Sequence, residues 1–246
     1  MSFRERTDLW EKGREALVRD YVPKDSASRL NFHPRFQAED SGGLPIFYGS
    51  EAGHCWKQLC YRYLPKYKPL GEEVESLLRL HDGNPHGDSV VHWLTEMGYA
   101  VTKREQQYVK FRKKYVVSGR VDGFVEIPGE GTFILEMKGL STNTMRMPAL
   151  DIVNQGYRYQ AQVYMWLTET TRTLFVIKDK NNSQLRFFEL KYNPKVMRGI
   201  MRRWFKVAGA VRRERLLKRE YSLDPKGRLP MACQWCRYHA YCWKGM

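Results

Sequence analysis

The stretch FILEMKG, residues 133–139, restricts this chain more than any other part of it. A near-continuous apolar run ending at a glycine reads as a strand buried on both faces. Yet it carries Glu136 and Lys138 two residues apart. Alternate side chains of a strand share a face, so Glu136 and Lys138 point the same way and Met137 points into the opposite layer. Charges inside a sheet are costly unless something compensates them. Just upstream, GRVDG places Asp122 near the end of the preceding strand, across a PGEG turn at 128–131. A plain four-residue loop there would pair Asp122 with Met137 and turn it to the wrong face. The carboxylates therefore meet only if the loop has odd length or a bulge, or if Asp122 lies beyond regular pairing.

Two carboxylates beside an ammonium suit Mg²⁺ or Mn²⁺, hard ions that take oxygen ligands and keep several waters. The main-chain carbonyl of Met137 is a further candidate oxygen. Lys138 is placed to orient an attacking water or to stabilise charge on a phosphorane. An ordinary surface hairpin with an E-x-K pair on its wet side would give the same local pattern, so its neighbours must decide.

Lys and Arg number 42 against 27 Asp and Glu, a net charge of +15, which fits a polyanionic partner such as nucleic acid. No apolar run approaches the ~20 residues needed to span a bilayer, so no membrane partner is expected. The charged, amphipathic start MSFRERTDLWEKGREALVRDY lacks the apolar centre of a signal peptide, which makes the cytoplasm the expected location. Cys55, Cys60, Cys233, Cys236 and Cys242 are odd in number. Without a secretion signal they read as metal ligands or buried thiols, not as a disulfide framework.

Residues 1–45 read as an N-terminal extension of short helical patterns and polar loops. CWKQLCYRYL, GEEVESLLRL and HGDSVVHWLTEMGY look helical, the last with Gly98 as its stop. From 99 the period shortens, and QQYVKFRKKYVVSGRVDGFVEI reads as strands. NQGYRYQAQVYMWLTET returns to helix, RTLFVIKDKNNSQLRFFELKY gives two strands about a turn, and a long basic helix is expected over 195–219. Its cations either face water or track phosphate. Lys178, behind a strand, is a candidate phosphate contact, and Arg and Lys around 102–120 are candidates to line the same groove. The order of elements implies one α/β domain with a central mixed sheet flanked by helices.

GRVDG…FILEMKG resembles the active-site core of the PD-(D/E)xK nuclease superfamily. Three further features resemble its RecB-like exonuclease branch. YRYQAQVYMWL is similar to that branch's Q-x₃-Y helix, with Gln160 and Tyr164 at i,i+4 on one face. The resemblance implies catalytic-site roles for both, Gln160 orienting strand or water and Tyr164 packing there or stacking a base. HDGNPHGDSVVHWL resembles the branch's Gly-then-His helix start, which makes His86 the implied metal ligand beside Asp122, Glu136 and the Met137 carbonyl. His92 and then His81 are the competitors.

Cys233-x₂-Cys236-x₅-Cys242 resembles the C-terminal triplet of iron–sulfur members, among them CRISPR-adaptation nucleases and phage relatives. Cys55 then matches the distant fourth ligand, Cys60 is the spare, and a [4Fe–4S] cluster is implied. Four thiolates satisfy a Zn²⁺ site equally well. The branch's Pro after that cysteine is missing here, and Lys57 stands where arginine is common. The resemblance covers roughly residues 46–246. It implies a restriction-endonuclease-like fold and a metal-dependent DNA exonuclease acting at single-stranded or duplex ends, in recombination, repair or processing. It admits a homo-oligomer, though no pattern here points to a ring. Two other readings use the same residues: a non-cleaving nucleic-acid-binding protein that keeps the cluster, and a Zn-stabilised structural protein with a coincidental E-x-K.

Overall fold

The structure is a computed structural model and describes residues 2–9, 11–12, 38–69 and 83–244. The expected helix GEEVESLLRL, His81 and most of the N-terminal extension lie outside these residues. Among the described residues, β6 (Gly123–Ile127) and β7 (Gly131–Leu140) are adjacent antiparallel strands of a mixed sheet. β8 (Arg172–Asp179) runs parallel to β7, and β9 (Leu185–Lys191) returns antiparallel. β3 (Ala100–Thr102) closes one edge, and β1 (Phe3–Glu5) closes the other by pairing with β9. The first residues of the N-terminal extension thus belong to the main sheet. A smaller sheet holds β2 (Ile46–Tyr48), β5 (Tyr115–Val121) and β4 (Gln106–Arg112) in that order. This is the expected α/β architecture.

Both faces of the main sheet are covered, which is why β7 and β8 are apolar nearly throughout. On one face Val125, Phe133, Leu135, Leu174 and Val176 pack with Val90 and Leu94 of α2 (Gly83–Glu96). On the other, Phe124, Ile134, Phe175 and Ile177 pack with Ala161, Tyr164 and Met165 of α3 (Gln155–Thr168). Gly98, at φ +84°, ends the turn after α2, a backbone region that suits glycine. α1 (Trp56–Tyr63) lies against α4 (Pro194–Arg212), whose amphipathic face buries Met197, Ile200 and Trp204.

The long basic helix expected over 195–219 ends earlier, at Arg212. Glu214 takes a left-handed φ of 52°, and the amides of Glu214 and Arg215 fold back on the carbonyls of Val211 and Ala210. Beyond this cap Leu216 and Leu217 pack on the core, and Glu220 binds Arg203 and the Trp56 amide. Tertiary anchoring of these three residues outweighs the helical propensity of RRERLLKRE.

Candidate active site

The register of β6 and β7 resolves the question of facing. Ile127 pairs with Gly131 and Gly123 with Leu135, so the intervening loop is Pro128–Glu130, three residues and odd. Gly129 and Gly131 at φ +77° and +88° make that short turn feasible. Continuing the same register sets Asp122 opposite Glu136. Asp122 is itself the single residue between β5 and β6, where the chain leaves the small sheet for the large one. Asp122 Oδ2 accepts a hydrogen bond from the Met137 amide at 2.7 Å, which ties the acid to β7.

Glu136 is fully buried on the α3 face, and Lys138 follows it on that face; Met137 packs against the α2 layer. The Glu136 Oε1 atom receives Lys138 Nζ at 2.5 Å and Gln160 Nε2 at 2.9 Å. The other oxygen, Oε2, is buried with no hydrogen-bond partner. A carboxylate oxygen in that condition is costly and fits a cation. Burial pushes the Glu136 carboxyl up to about 7; Lys138 opposes the rise, while Asp122 adds to it. Burial works against the Lys138 ammonium as well, but Glu136 and Asp122 outweigh it and hold its pKa above the ordinary lysine range. The Tyr157 ring lies 5.2 Å from the same ammonium.

Gln160 Nε2 also donates to the Tyr164 hydroxyl at 3.0 Å, so both protons of its amide are committed. Tyr164 is lodged between two glycines. A Cβ on Gly49 would lie 2.3 Å from its ring, and one on Gly119 would lie 2.7 Å from it. These glycines let the 48–51 segment and β5 close on α3. Gly53 approaches Gly156 for the same reason, a Cβ there falling 2.9 Å from the Gly156 Cα.

The other expected residues are placed as follows. His86 lies near the start of α2, its Cδ2 close to Gly139 on the opposite face of β7 from Glu136. His92 stands beside Trp93 further along the helix. Among the described residues no three His, Cys, Asp or Glu side chains close into a metal-holding group, so His86 is not drawn against Asp122 and Glu136. Glu105 was not singled out in the sequence. It is half-buried at a left-handed φ of 54°, paired with Arg120 at 2.9 Å, and its carboxyl is raised by burial and by the nearby Asp122.

Cys55, Cys233, Cys236 and Cys242 line a single cavity with Gln58, Tyr61, His239 and Trp243. Cys60 is instead buried in the main core. Burial raises the thiols of Cys55, Cys233 and Cys236. Tyr61 stacks on Tyr238 at 5.6 Å and packs its edge against Tyr67 at 4.7 Å, which shields one side of the cavity. The four thiols line one cavity, but among the described residues no three of them close into a group that would hold a metal.

A search of curated proteins gave no match. Among solved structures, the chain resembles the protein SSO0001, with 14% identity, 96% of this chain and 94% of the other covered, and a TM-score of 0.49. It also resembles an alkaline exonuclease, LHK-Exo, from Laribacter hongkongensis, with 17% identity, 70% and 90% coverage and a TM-score of 0.48. A phage-related exonuclease from Haemophilus somnus 129PT matches with 12% identity, 67% and 92% coverage and a TM-score of 0.45. The family model of the PD-(D/E)XK nuclease superfamily matches residues 71–243, a span that contains Asp122, Glu136, Lys138 and Gln160. That span is most of the chain, and the protein belongs to the PD-(D/E)XK nuclease superfamily.

Proposed function

We propose that this nuclease is a divalent-metal-dependent DNA exonuclease of the cytoplasm that works at single-stranded ends. One observation carries the reading: the partnerless Oε2 of Glu136, buried beside Asp122 and next to a protonated Lys138. Asp122 and Glu136 would hold Mg²⁺ or Mn²⁺, with the Met137 carbonyl and, after a side-chain movement, His86 as further donors. When bound, the ion supplies Lewis acidity toward water and the scissile phosphate.

The chain's own groups do the rest. Gln160 and Lys138 occupy Oε1 of Glu136 and so leave the buried Oε2 for a cation; Tyr164 fixes the Gln160 amide. Lys138 stays an ammonium, so it contributes charge stabilisation as negative charge grows on the phosphate oxygens, and does not act as a base. Water loses a proton to solvent as its oxygen forms the new bond to phosphorus, the ester P–O bond breaks, and the departing alkoxide takes a proton from solvent.

Support for single strands comes from aromatics with cations over them, Phe205 exposed and Trp56 and Trp166 half-buried against the core. Lys110 and Arg112 lie over Trp166, Lys114 lies over Phe205 at 4.1 Å, and Arg203 and Lys206 lie over Trp56. Rings flanked by cations suit stacked bases between phosphates. We further infer that Cys55, Cys233, Cys236 and Cys242 hold a [4Fe–4S] cluster, with Zn²⁺ the competing occupant; iron and acid-labile sulfide analysis against zinc analysis decides between them.

The test of the enzyme reading is release of nucleotides from linear single-stranded DNA with Mg²⁺ or Mn²⁺. Asp122→Asn is expected to abolish release while retaining DNA binding. Equal release by wild type and variant would overturn the site.

A further inference from the structure

On the far side of β7 from Glu136, a second set of charged groups has no part in the chemistry above. Lys178 faces the α2 layer near the end of β8, paired in register with Gly139. It is only 8% exposed, and its Nζ donates to Ser89 Oγ of α2 at 2.5 Å. The Ser89 hydroxyl proton is already directed to the His86 carbonyl at 3.3 Å, so the serine serves Lys178 as an acceptor only. Lys180 lies across the bare Cα of Gly139: a Cβ there would meet Lys180 Cε at 2.8 Å and Cγ at 3.4 Å.

Among the described residues neither lysine has a carboxylate partner. Asp88 is taken by Arg104; Asp179 is used through Oδ1 by Thr142 and the Asn181 amide, while its buried Oδ2 has no hydrogen-bond partner and pairs with neither lysine. A buried ammonium answered by one hydroxyl is expensive and gains most from an anion.

Resting on the nuclease reading, we propose that Lys178, Lys180 and Ser89 form a phosphate site that takes a backbone phosphodiester of the DNA strand. The site lies at the C-terminal ends of the parallel strands β7 and β8, beside the end that carries Lys138. A strand whose scissile bond reaches Glu136 can thus pass over the strand ends and be held on the other face. A side chain at position 139 would push the flexible Lys180 chain aside.

The experiment is equilibrium binding of a single-stranded oligonucleotide in EDTA, over a range of salt, with thermal melting of the DNA-free protein. For Lys178→Met, the slope of log affinity against log salt is expected to become shallower by about 0.7, the value for one phosphate contact on a single strand. The melting temperature is expected to hold or rise, because an uncompensated buried charge is gone. A lower melting temperature with an unchanged slope would show a structural lysine and overturn the proposal.

Lys180 is exposed, so Lys180→Met tests the site without risk to folding. It must also flatten the slope by about 0.7, or the proposal fails. Equal losses on 5′-phosphorylated and 5′-hydroxyl oligonucleotides support a backbone phosphate, and a loss confined to the 5′-phosphorylated strand overturns that assignment. Asp122→Asn should keep the wild-type slope. Cleavage by that variant would sink the catalytic reading alone.

Discussion

Glu136 holds two opposed demands. Its folded pKa is raised above the ordinary glutamate value, chiefly by burial. The metal-free folded chain therefore binds a proton that the unfolded chain has released between about pH 4.3 and about 7. Stability from this group is lost as pH rises through that window. A divalent cation takes the proton's place, so Mn²⁺ should raise the melting temperature more at about pH 8 than at about pH 5. In Glu136→Gln the metal gain should vanish at both; a persisting gain would place the ion elsewhere. Gln160→Ala leaves Oε1 to Lys138 alone and removes the amide that orients the carboxylate, and activity at limiting metal should fall about 10–100-fold, with partial recovery at high metal.

The residue types of this site were legible in the sequence because strand alternation and helical i,i+4 spacing are strict. That Glu136 shares a face with Lys138, and Gln160 with Tyr164, follows from those two periods; that Gln160 and Tyr164 belong beside the carboxylates came from the family resemblance. Whether Asp122 joined them rested on one loop length that composition could not settle. Glu105 and Tyr157 were not foreseen, since their approach depends on a left-handed residue in the link between the two sheets and on the seating of α3, neither of which leaves a local pattern.

At the level of elements, α3 is seated by missing side chains. Gly49 and Gly119 receive the Tyr164 ring, and Gly53 meets Gly156. Gly119→Ala would drive a methyl into that ring and into Leu167, 2.8 Å away. Overpacking of this kind costs about 1–3 kcal/mol. The expected result is a lowered melting temperature together with reduced activity, because Tyr164 steadies Gln160. Gly119→Ala with Tyr164→Phe should not recover activity, whereas the smaller Tyr164→Leu should restore the melting temperature; no recovery by Leu would locate the clash elsewhere. Element types and order were readable from periodicity. The end of α4 was not, because RRERLLKRE has helical composition, and its extended path is set by Leu216, Leu217 and Glu220 reaching partners distant in sequence.

Across the whole molecule, the cysteine cavity joins residue 55 to the tail at 233–242. Arg219 donates to the Cys242 carbonyl and Trp56 to the Lys218 carbonyl, so residues 218–219 bridge the start of α1 and the tail. An occupant bound by four thiolates would add its binding free energy to folding. Cys55→Ser should lower the melting temperature and release iron or zinc, and treatment with a chelator should do the same to the wild type. Cys60→Ser should leave metal content intact while costing stability through its buried position in the core. Metal loss on Cys60→Ser instead would exchange the two assignments.

The turn at Pro128–Glu130 has an implication for descent. Arg6 and Arg172 both clasp Glu130, so this bend is fastened to the N-terminal strand and to β8. Its length also carries a parity. A lineage that gained or lost one codon there, with the tight bend retained, would set Asp122 against Met137 or Leu135 and face it away from Glu136. Two codons together would restore the match, so drift at this otherwise ordinary loop should proceed in pairs.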